Sequence, residues 1–274
     1  MITTLMKHEW LRTRGLLGTL AGVALLLVAA GTALTATGWP GIDMIGALML
    51  VAALGGLVPA VQIALTVHYW QSSFGRTGYF TQSLPVRGTT IFTAKLLWAL
   101  LISLAALVVV LGLLCAAWPV LADRLGTERN PFTVISQLWS GYAEVVPVPL
   151  LVIGVVLFVG MILIWPIQYF FAASVGSETP LNRLGLGGPV LVFLGLYLVT
   201  QVVLFLGMAV LPWGLGVADG QLGVVRWRLF SELAAGDAAS SDIMPLGFLP
   251  ALFLVTLACL VRTVHSWRRK ISLV

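Results

Sequence analysis

The residues of this sequence that could do chemistry are few and scattered. No Gly-x-x-x-x-Gly-Lys-Ser/Thr phosphate loop occurs, so we expect any ATP hydrolysis to belong to another chain. His8 and Glu9 begin like a zinc-protease helix motif, but the position that needs the second histidine is Arg12. No two acids are neighbours, which disfavours the adjacent glutamates that activate water in some membrane proteases. The sequence therefore predicts no catalytic residue, no metal site and no cofactor bound by this chain.

Three glutamines, Gln62, Gln168 and Gln201, lie deep within apolar stretches. An amide in that setting either bonds a neighbouring helix or contacts a substrate in a translocation path, and both interpretations stay open at this stage. His68 stands at the end of an apolar stretch beside two aromatic residues, where we expect an interfacial anchor rather than a proton site.

Water is not the main solvent of this chain. Of its 274 residues 59% are hydrophobic and 9% are charged, whereas a soluble domain has roughly a quarter of its residues charged. Six uncharged stretches are each long enough for one helix across an apolar core about 30 Å thick. Gly18 and Gly22, four apart in the first, would permit close helix contact. We predict an all-α integral membrane protein, residues 1–274 forming a single transmembrane domain with spans at about 16–37, 45–69, 92–118, 147–173, 189–211 and 245–263.

The basic residues predict how the protein is oriented. Eleven of the 15 Lys and Arg side chains lie on one predicted side, and eight of the ten acids lie on the other. Short loops rich in Lys and Arg stay in the cytoplasm, so both termini are expected there. This topology also explains the net charge of +5 without any nucleic-acid partner. The excess of 12 Arg over 3 Lys suggests a GC-rich bacterial source, hence the bacterial inner (cytoplasmic) membrane.

Segments outside the spans are also predicted to be helical. Residues 1–14 carry apolar side chains at helical spacing, which predicts an amphipathic interfacial helix or, alternatively, a frayed basic tail. Asn130 followed by proline predicts the start of an outer-face helix over about 131–143. A second short outer helix is predicted over about 221–235, with Gly236 as its stop.

The segment between the second and third spans, residues 69–95, carries more than a connector needs. It places aromatic and apolar side chains on the water side, and Pro85 closes it. Phe80 and Leu84 are one helical turn apart, so they could form a knob for a partner's groove or lie on the lipid surface. We predict a short cytoplasmic helix over about 72–85.

This segment resembles the coupling loop in the permease subunits of type-2 ABC (ATP-binding-cassette) exporters. That loop holds a coupling helix, ends in a Ser-Leu-Pro-Val-like turn, and is followed by an apolar residue and a lysine that enters the third span. The glycines at 75 and 78 and the predicted helix after the third span depart from the family pattern, whereas six spans with cytoplasmic ends agree with it. The match covers about 25 residues, and its elements here are Gly78, Ser83-Leu84-Pro85-Val86, Arg87, Ile91 and Lys95.

The resemblance implies partners and a mechanism. Such a permease pairs with a second copy of itself or a sister permease, and a dimer of ABC ATPase subunits, which carries the ATP and Mg, binds below it. Closure of the ATPase pair would push on the coupling helix and open a path at the permease interface, which the three glutamines could line. The residues implied to contact the ATPase are Phe74, Arg76, Tyr79, Phe80, Leu84, Pro85 and Arg87.

The main alternative is a non-transporting immunity or scaffold protein derived from such a permease, which would keep the same loop. An intramembrane enzyme is disfavoured because paired acids, histidine clusters and catalytic cysteines are missing from the sequence. An apolar path would suit a hydrophobic or amphipathic cargo.

Overall fold

The computed structural model describes residues 2–75, 78–79, 83, 85–218, 221–235 and 243–269. Six helices in this part of the chain are long and apolar enough to cross a membrane, which confirms the prediction of a multi-pass helical membrane protein. The chain divides into two compact units, Met1–Leu138 and Trp139–Val274. The six membrane helices are α1 (Ile2–Ala36), α2 (Ile42–Ser73), α3 (Gly88–Leu125), α5 (Val148–Val175), α6 (Gly187–Val210) and α8 (Phe248–Arg269).

In the first unit, α1, α2 and α3 pack against one another around a small apolar core. Val28, Leu50, Ala53 and Ala117 form its buried centre. Many large apolar side chains of these helices, among them Leu26, Leu48 and Val108, are exposed, as lipid-facing residues are.

Helices α1 and α2 come into close contact at Gly31 of α1 and Gly46 of α2. A Cβ added to Gly46 would lie 2.7 Å from the carbonyl oxygen of Gly31 and 2.5 Å from the backbone nitrogen of Thr35. Gly18 and Gly22, where close contact was predicted, have no such neighbour within 4 Å. The small residues that allow the contact therefore lie further along α1 than the sequence spacing indicated.

Helix α1 runs unbroken from Ile2 to Ala36, so residues 1–14 and the span after them do not form separate elements as predicted. Its 35 residues extend about 52 Å at 1.5 Å per residue, beyond an apolar core of about 30 Å. Glu9 and Thr13, near its beginning, are buried. Their contacts with α2 and α3, given below, hold this first part of the helix in line with the rest.

Helix α4 (Pro131–Val145) begins where Asn130 and Pro131 predicted. The Asn130 side-chain oxygen accepts a hydrogen bond of 3.0 Å from the backbone nitrogen of Phe132, which satisfies one of the unpaired donors at the helix start. Its apolar side chains, among them Phe132, Ile135 and Tyr142, are exposed.

The second unit contains α5, α6, α8 and a small antiparallel sheet. The sheet has the order β2-β1-β3, with β1 at Trp213–Ala218, β2 at Gln221–Arg226 and β3 at Met244–Pro245. A single helix over 221–235 was predicted, and this is wrong for its first half, because only α7 (Leu229–Ala235) is helical there. Glycines alternate with larger residues in β1. A Cβ on Gly214 would lie 2.5 Å from the Ile243 side chain, so this face of the strand has no room for side chains.

Candidate functional site

A buried ion pair connects the three helices of the first unit. Glu9 of α1 and Lys95 of α3 lie with Oε1 and Nζ 2.9 Å apart. Lys95 Nζ also donates a hydrogen bond of 2.7 Å to Ser72 Oγ on α2. His68, one helical turn before Ser72, places its Nε2 3.6 Å from the second carboxylate oxygen of Glu9. We call Glu9, His68, Ser72 and Lys95 the ion cluster.

Burial makes the ion cluster sensitive to the loss of either charge. Lys95 is 4% exposed and Glu9 is 8% exposed, so little water reaches the pair. Removing one partner of a buried pair leaves the other charge uncompensated, which typically costs about 3–5 kcal/mol. The ion pair therefore holds α1 and α3 in one relative position. The hydrogen bond to Ser72 connects α2 to them.

Two tryptophans, Trp10 and Trp98, connect α1 and α3 next to Glu9 in the sequence of α1. The Trp98 indole nitrogen donates to Thr13 Oγ1 at 3.2 Å, and Thr13 Oγ1 donates to the carbonyl oxygen of Glu9 at 2.7 Å. The rings of Trp10 and Trp98 meet edge to face with centroids 6.0 Å apart. These contacts fix the turn of α1 that carries Glu9.

Sequence reasoning missed the ion cluster although a signal for it was present. In the sequence Lys95 is one basic residue among several near the membrane surface, Glu9 belongs to an incomplete zinc motif, and the position of His68 predicts an interfacial anchor. Yet Glu9 and Glu178 are the two acids on the side that carries most of the basic residues. Acids placed against that charge bias are candidates for internal ion pairs, and both of them form one.

The loop that follows α2 starts directly beside the ion cluster. Ser73 ends α2, and the Phe74 backbone nitrogen donates to the Trp70 carbonyl oxygen at 2.8 Å. The Phe74 ring lies edge to face with Tyr69, with centroids 5.8 Å apart. Phe74 is thus half-buried against the end of α2.

Three further described residues of the loop, Tyr79, Pro85 and Arg87, are exposed. Tyr79 is 66% exposed, and Pro85 and Arg87 are exposed just before α3 begins. Within the predicted helix over 72–85, residues 72–73 belong to the last turn of α2 and residues 78–79 are helical. Three of the predicted ATPase contacts lie outside the described residues: Arg76, Phe80 and Leu84.

Two of the three glutamines form hydrogen bonds between helices. Gln62 Nε2 of α2 donates to Ser103 Oγ of α3 at 3.4 Å in the first unit. In the second unit Gln168 Nε2 of α5 donates to Thr256 Oγ1 of α8 at 3.3 Å. Gln201 is exposed on α6. The first two amides therefore act as links between helices, whereas the third is presented to the surroundings.

The second acid on the basic side, Glu178, also links helices. The Arg262 guanidinium of α8 donates to both Glu178 carboxylate oxygens, at 2.8 and 2.7 Å, just after α5 ends. This two-pronged geometry is the strongest form of an Arg–carboxylate pair.

Comparisons with known proteins add no identification. No family model matches the sequence, and no curated protein and no solved structure is significantly similar to it. Among the residues that the structure describes, no three His, Cys, Asp or Glu side chains gather closely enough to hold a metal ion.

Proposed function

We propose that this chain is the transmembrane permease subunit of an ATP-driven ABC exporter and that it works with a separate ATPase. Its partners would be a dimer of ABC ATPase subunits, with ATP and Mg bound there, and a second permease copy or a sister permease. The loop after α2 and both termini would face the cytoplasm of a bacterial cell, in accordance with the distribution of basic residues.

One observation carries the proposal: the loop begins and ends on helices that the ion cluster ties together. Ser72 lies two residues before Phe74, and Lys95 lies in the second turn of the helix that the loop leads into. A force on the loop would therefore reach α2 and α3 directly and α1 through Glu9. A loop that served only as a connector would not need such an attachment.

Among the described residues of the loop, Tyr79 is best placed to contact a partner protein, because its aromatic side chain is exposed. Exposed tyrosines are favourable contact residues because they bury a large apolar area while keeping a polar tip. Arg87, exposed at the other end of the loop, could pair with an acid on the ATPase. Phe74, Pro85 and the residues Arg76, Phe80 and Leu84 complete the proposed contact.

The test is purification of the tagged protein from its native membrane in mild detergent, followed by identification of co-purified chains and an ATP hydrolysis assay. Tyr79→Asp is expected to remove a stoichiometric P-loop ATPase and its activity from the eluate. Trp39→Asp is the matched control, because Trp39 is also 66% exposed but precedes α2 whereas Tyr79 follows it.

Two results would count against the proposal in different ways. If the wild-type chain is recovered without any ATPase, the non-transporting immunity or scaffold protein becomes the better explanation. If an ATPase is recovered and stays bound to Tyr79→Asp and to Phe80→Asp with Leu84→Asp, the contact lies elsewhere on the permease.

A further inference from the structure

The second unit contains an apolar cavity of about 430 Å³ between the beginning of α5, the beginning of α8 and the sheet. Its volume is roughly three times the ~150 Å³ of an enclosed apolar cavity that binds benzene. Unlike that cavity it is open on one side, because lining residues such as Ile153 and Trp213 are about half exposed. Every side chain that lines it is apolar or aromatic, so it suits a hydrocarbon and offers water almost no partner. The lining includes Ile153, Leu157, Trp213, Leu215, Val224 and Leu249.

The register of the sheet shows what lies at one end of this cavity. Leu215 pairs with Val224, and Trp213 pairs with Arg226. Directly opposed residues of an antiparallel pair share one face of the sheet, so Arg226 lies on the same face as the lining residues, beside Trp213. Arg226 is exposed and forms no ion pair with any residue that the structure describes.

We propose that this cavity binds one acyl chain of an anionic membrane phospholipid and that Arg226 holds the phosphate of its headgroup. Helices α5 and α8 are both long and apolar enough to span the bilayer, so a lipid can reach an opening between their ends. The guanidinium has the fork geometry that phosphate oxygens accept in pairs. Exposed Arg228, two residues further on, adds positive charge and favours an anionic over a zwitterionic headgroup.

A glycine in the cavity wall makes the proposal testable by filling the space. Gly154 of α5 lines the cavity, and a Cβ added there would meet nothing within 4 Å. Gly154→Phe should therefore occupy the space of the acyl chain without displacing the backbone. Gly195 of α6 is equally open but does not line the cavity, so Gly195→Phe is the matched control.

The experiment uses the full chain in vesicles of phosphatidylethanolamine and phosphatidylglycerol, with a trace of phosphatidylglycerol that carries a diazirine in its acyl chain. After irradiation, peptide mapping should find the label concentrated on residues 150–157 and 213–224. Gly154→Phe should lower this label to the level found along exposed α6, whereas Gly195→Phe should leave it unchanged. Arg226→Gln should lower it about five-fold, the effect of one surface charge on an anionic lipid. It should lower labelling by a phosphatidylcholine probe less, because the choline cation of that lipid offsets the charge of its phosphate.

Three outcomes would overturn the proposal. Label spread evenly over the exposed helices and unaffected by Gly154→Phe would mean ordinary surrounding lipid only. Crosslinks between two copies at these positions would mean that a second chain fills the cavity. Equal competition by unlabelled phosphatidylglycerol and phosphatidylcholine would overturn the preference for an anionic phospholipid, and this comparison needs only the wild-type protein, even if a variant fails to fold. Labelling requires no ATPase, so the result is independent of the proposed exporter function.

Discussion

The Lys95 ammonium lies 2.9 Å from the Glu9 carboxylate, across 86 residues of sequence and between two different helices. The pair is buried, and the same ammonium group also donates to Ser72 at the end of α2. One cation thus links the three membrane helices of the first unit at the point where the proposed coupling loop is attached.

Removing one charge of this pair should destabilise the protein more than removing both. Lys95→Met leaves Glu9 buried without its cation, which should cost about 3–5 kcal/mol, because the desolvated carboxylate loses its compensation. Glu9→Gln combined with Lys95→Met removes both charges, so this double variant should unfold at a higher temperature than Lys95→Met alone. Thermal unfolding of the detergent-solubilised variants measures both effects.

A partly exposed ion pair in the same unit serves as the control. Arg124 and Asp43 lie 3.2 Å apart with side chains 35% and 26% exposed. Arg124→Met should cost about 1 kcal/mol or less, because solvent screens such a pair. Equal losses of stability in Lys95→Met and Arg124→Met would show that the ion cluster does not hold the helices together.

The glycine contact between α1 and α2 should not tolerate a single added methyl group. Gly46→Ala forces a Cβ against the backbone of α1, and overpacking of this kind should cost about 1–3 kcal/mol. Gly55→Ala, on the same helix, has open space and should be neutral or up to about 1 kcal/mol more stable, because alanine favours helix. Thermal unfolding of both variants tests this prediction. Equal unfolding temperatures for Gly46→Ala and Gly55→Ala would mean that the two helices do not approach so closely in the membrane.

Gln201 should contribute to an interface with a second copy of this chain. Its amide is exposed in the middle of a membrane helix, where lipid offers no hydrogen-bond partner. If it bonds across a two-fold axis, Gln201→Leu loses about 1 kcal/mol and weakens association roughly five-fold. Energy transfer between labelled copies in vesicles measures this, with the neighbouring exposed residue changed in Val202→Leu as the control. Unchanged association in Gln201→Leu would place this side chain outside the interface.

The Arg262–Glu178 pair should depend on geometry as well as charge. Arg262→Gln loses both charge-assisted hydrogen bonds and should cost about 1.5–3 kcal/mol. Arg262→Lys keeps the charge but lacks the planar fork, so its loss should be intermediate. Hydrogen exchange of residues 176–185 reports the local opening, and Arg183→Lys, at an exposed position in the same segment, should leave it unchanged. Full protection in Arg262→Lys would mean that charge alone holds the segment.

The six membrane helices could be predicted because hydropathy is a local property of each stretch. The sheet could not be predicted, because β1 lies within a stretch that is apolar throughout. Strand pairing also joins Trp213 to Arg226, which is thirteen residues later in the sequence. The alternation of Gly214 and Gly216 with larger residues was the local sign of a strand. It could not be distinguished from the continuous apolar sequence around it.

The ion cluster and the glycine contact were harder to predict from the sequence, for a different reason. Spacing along one helix shows that Gly18 and Gly22 are compatible with close packing, but the register between two helices decides that Gly31 and Gly46 meet instead. Likewise, the charge bias could single out Glu9 as unusual, whereas its partner Lys95 depends on how α1 and α3 pack.

Helices α1 and α2 are fastened at two separate points, by the ion cluster near Glu9 and by the glycine contact at Gly31. These points lie about 33 Å apart along α1 at 1.5 Å per residue. Two contacts this far apart oppose twisting and sliding of the two helices against each other. We therefore expect a displacement at the loop to move α1 and α2 together, as one lever, between these two points.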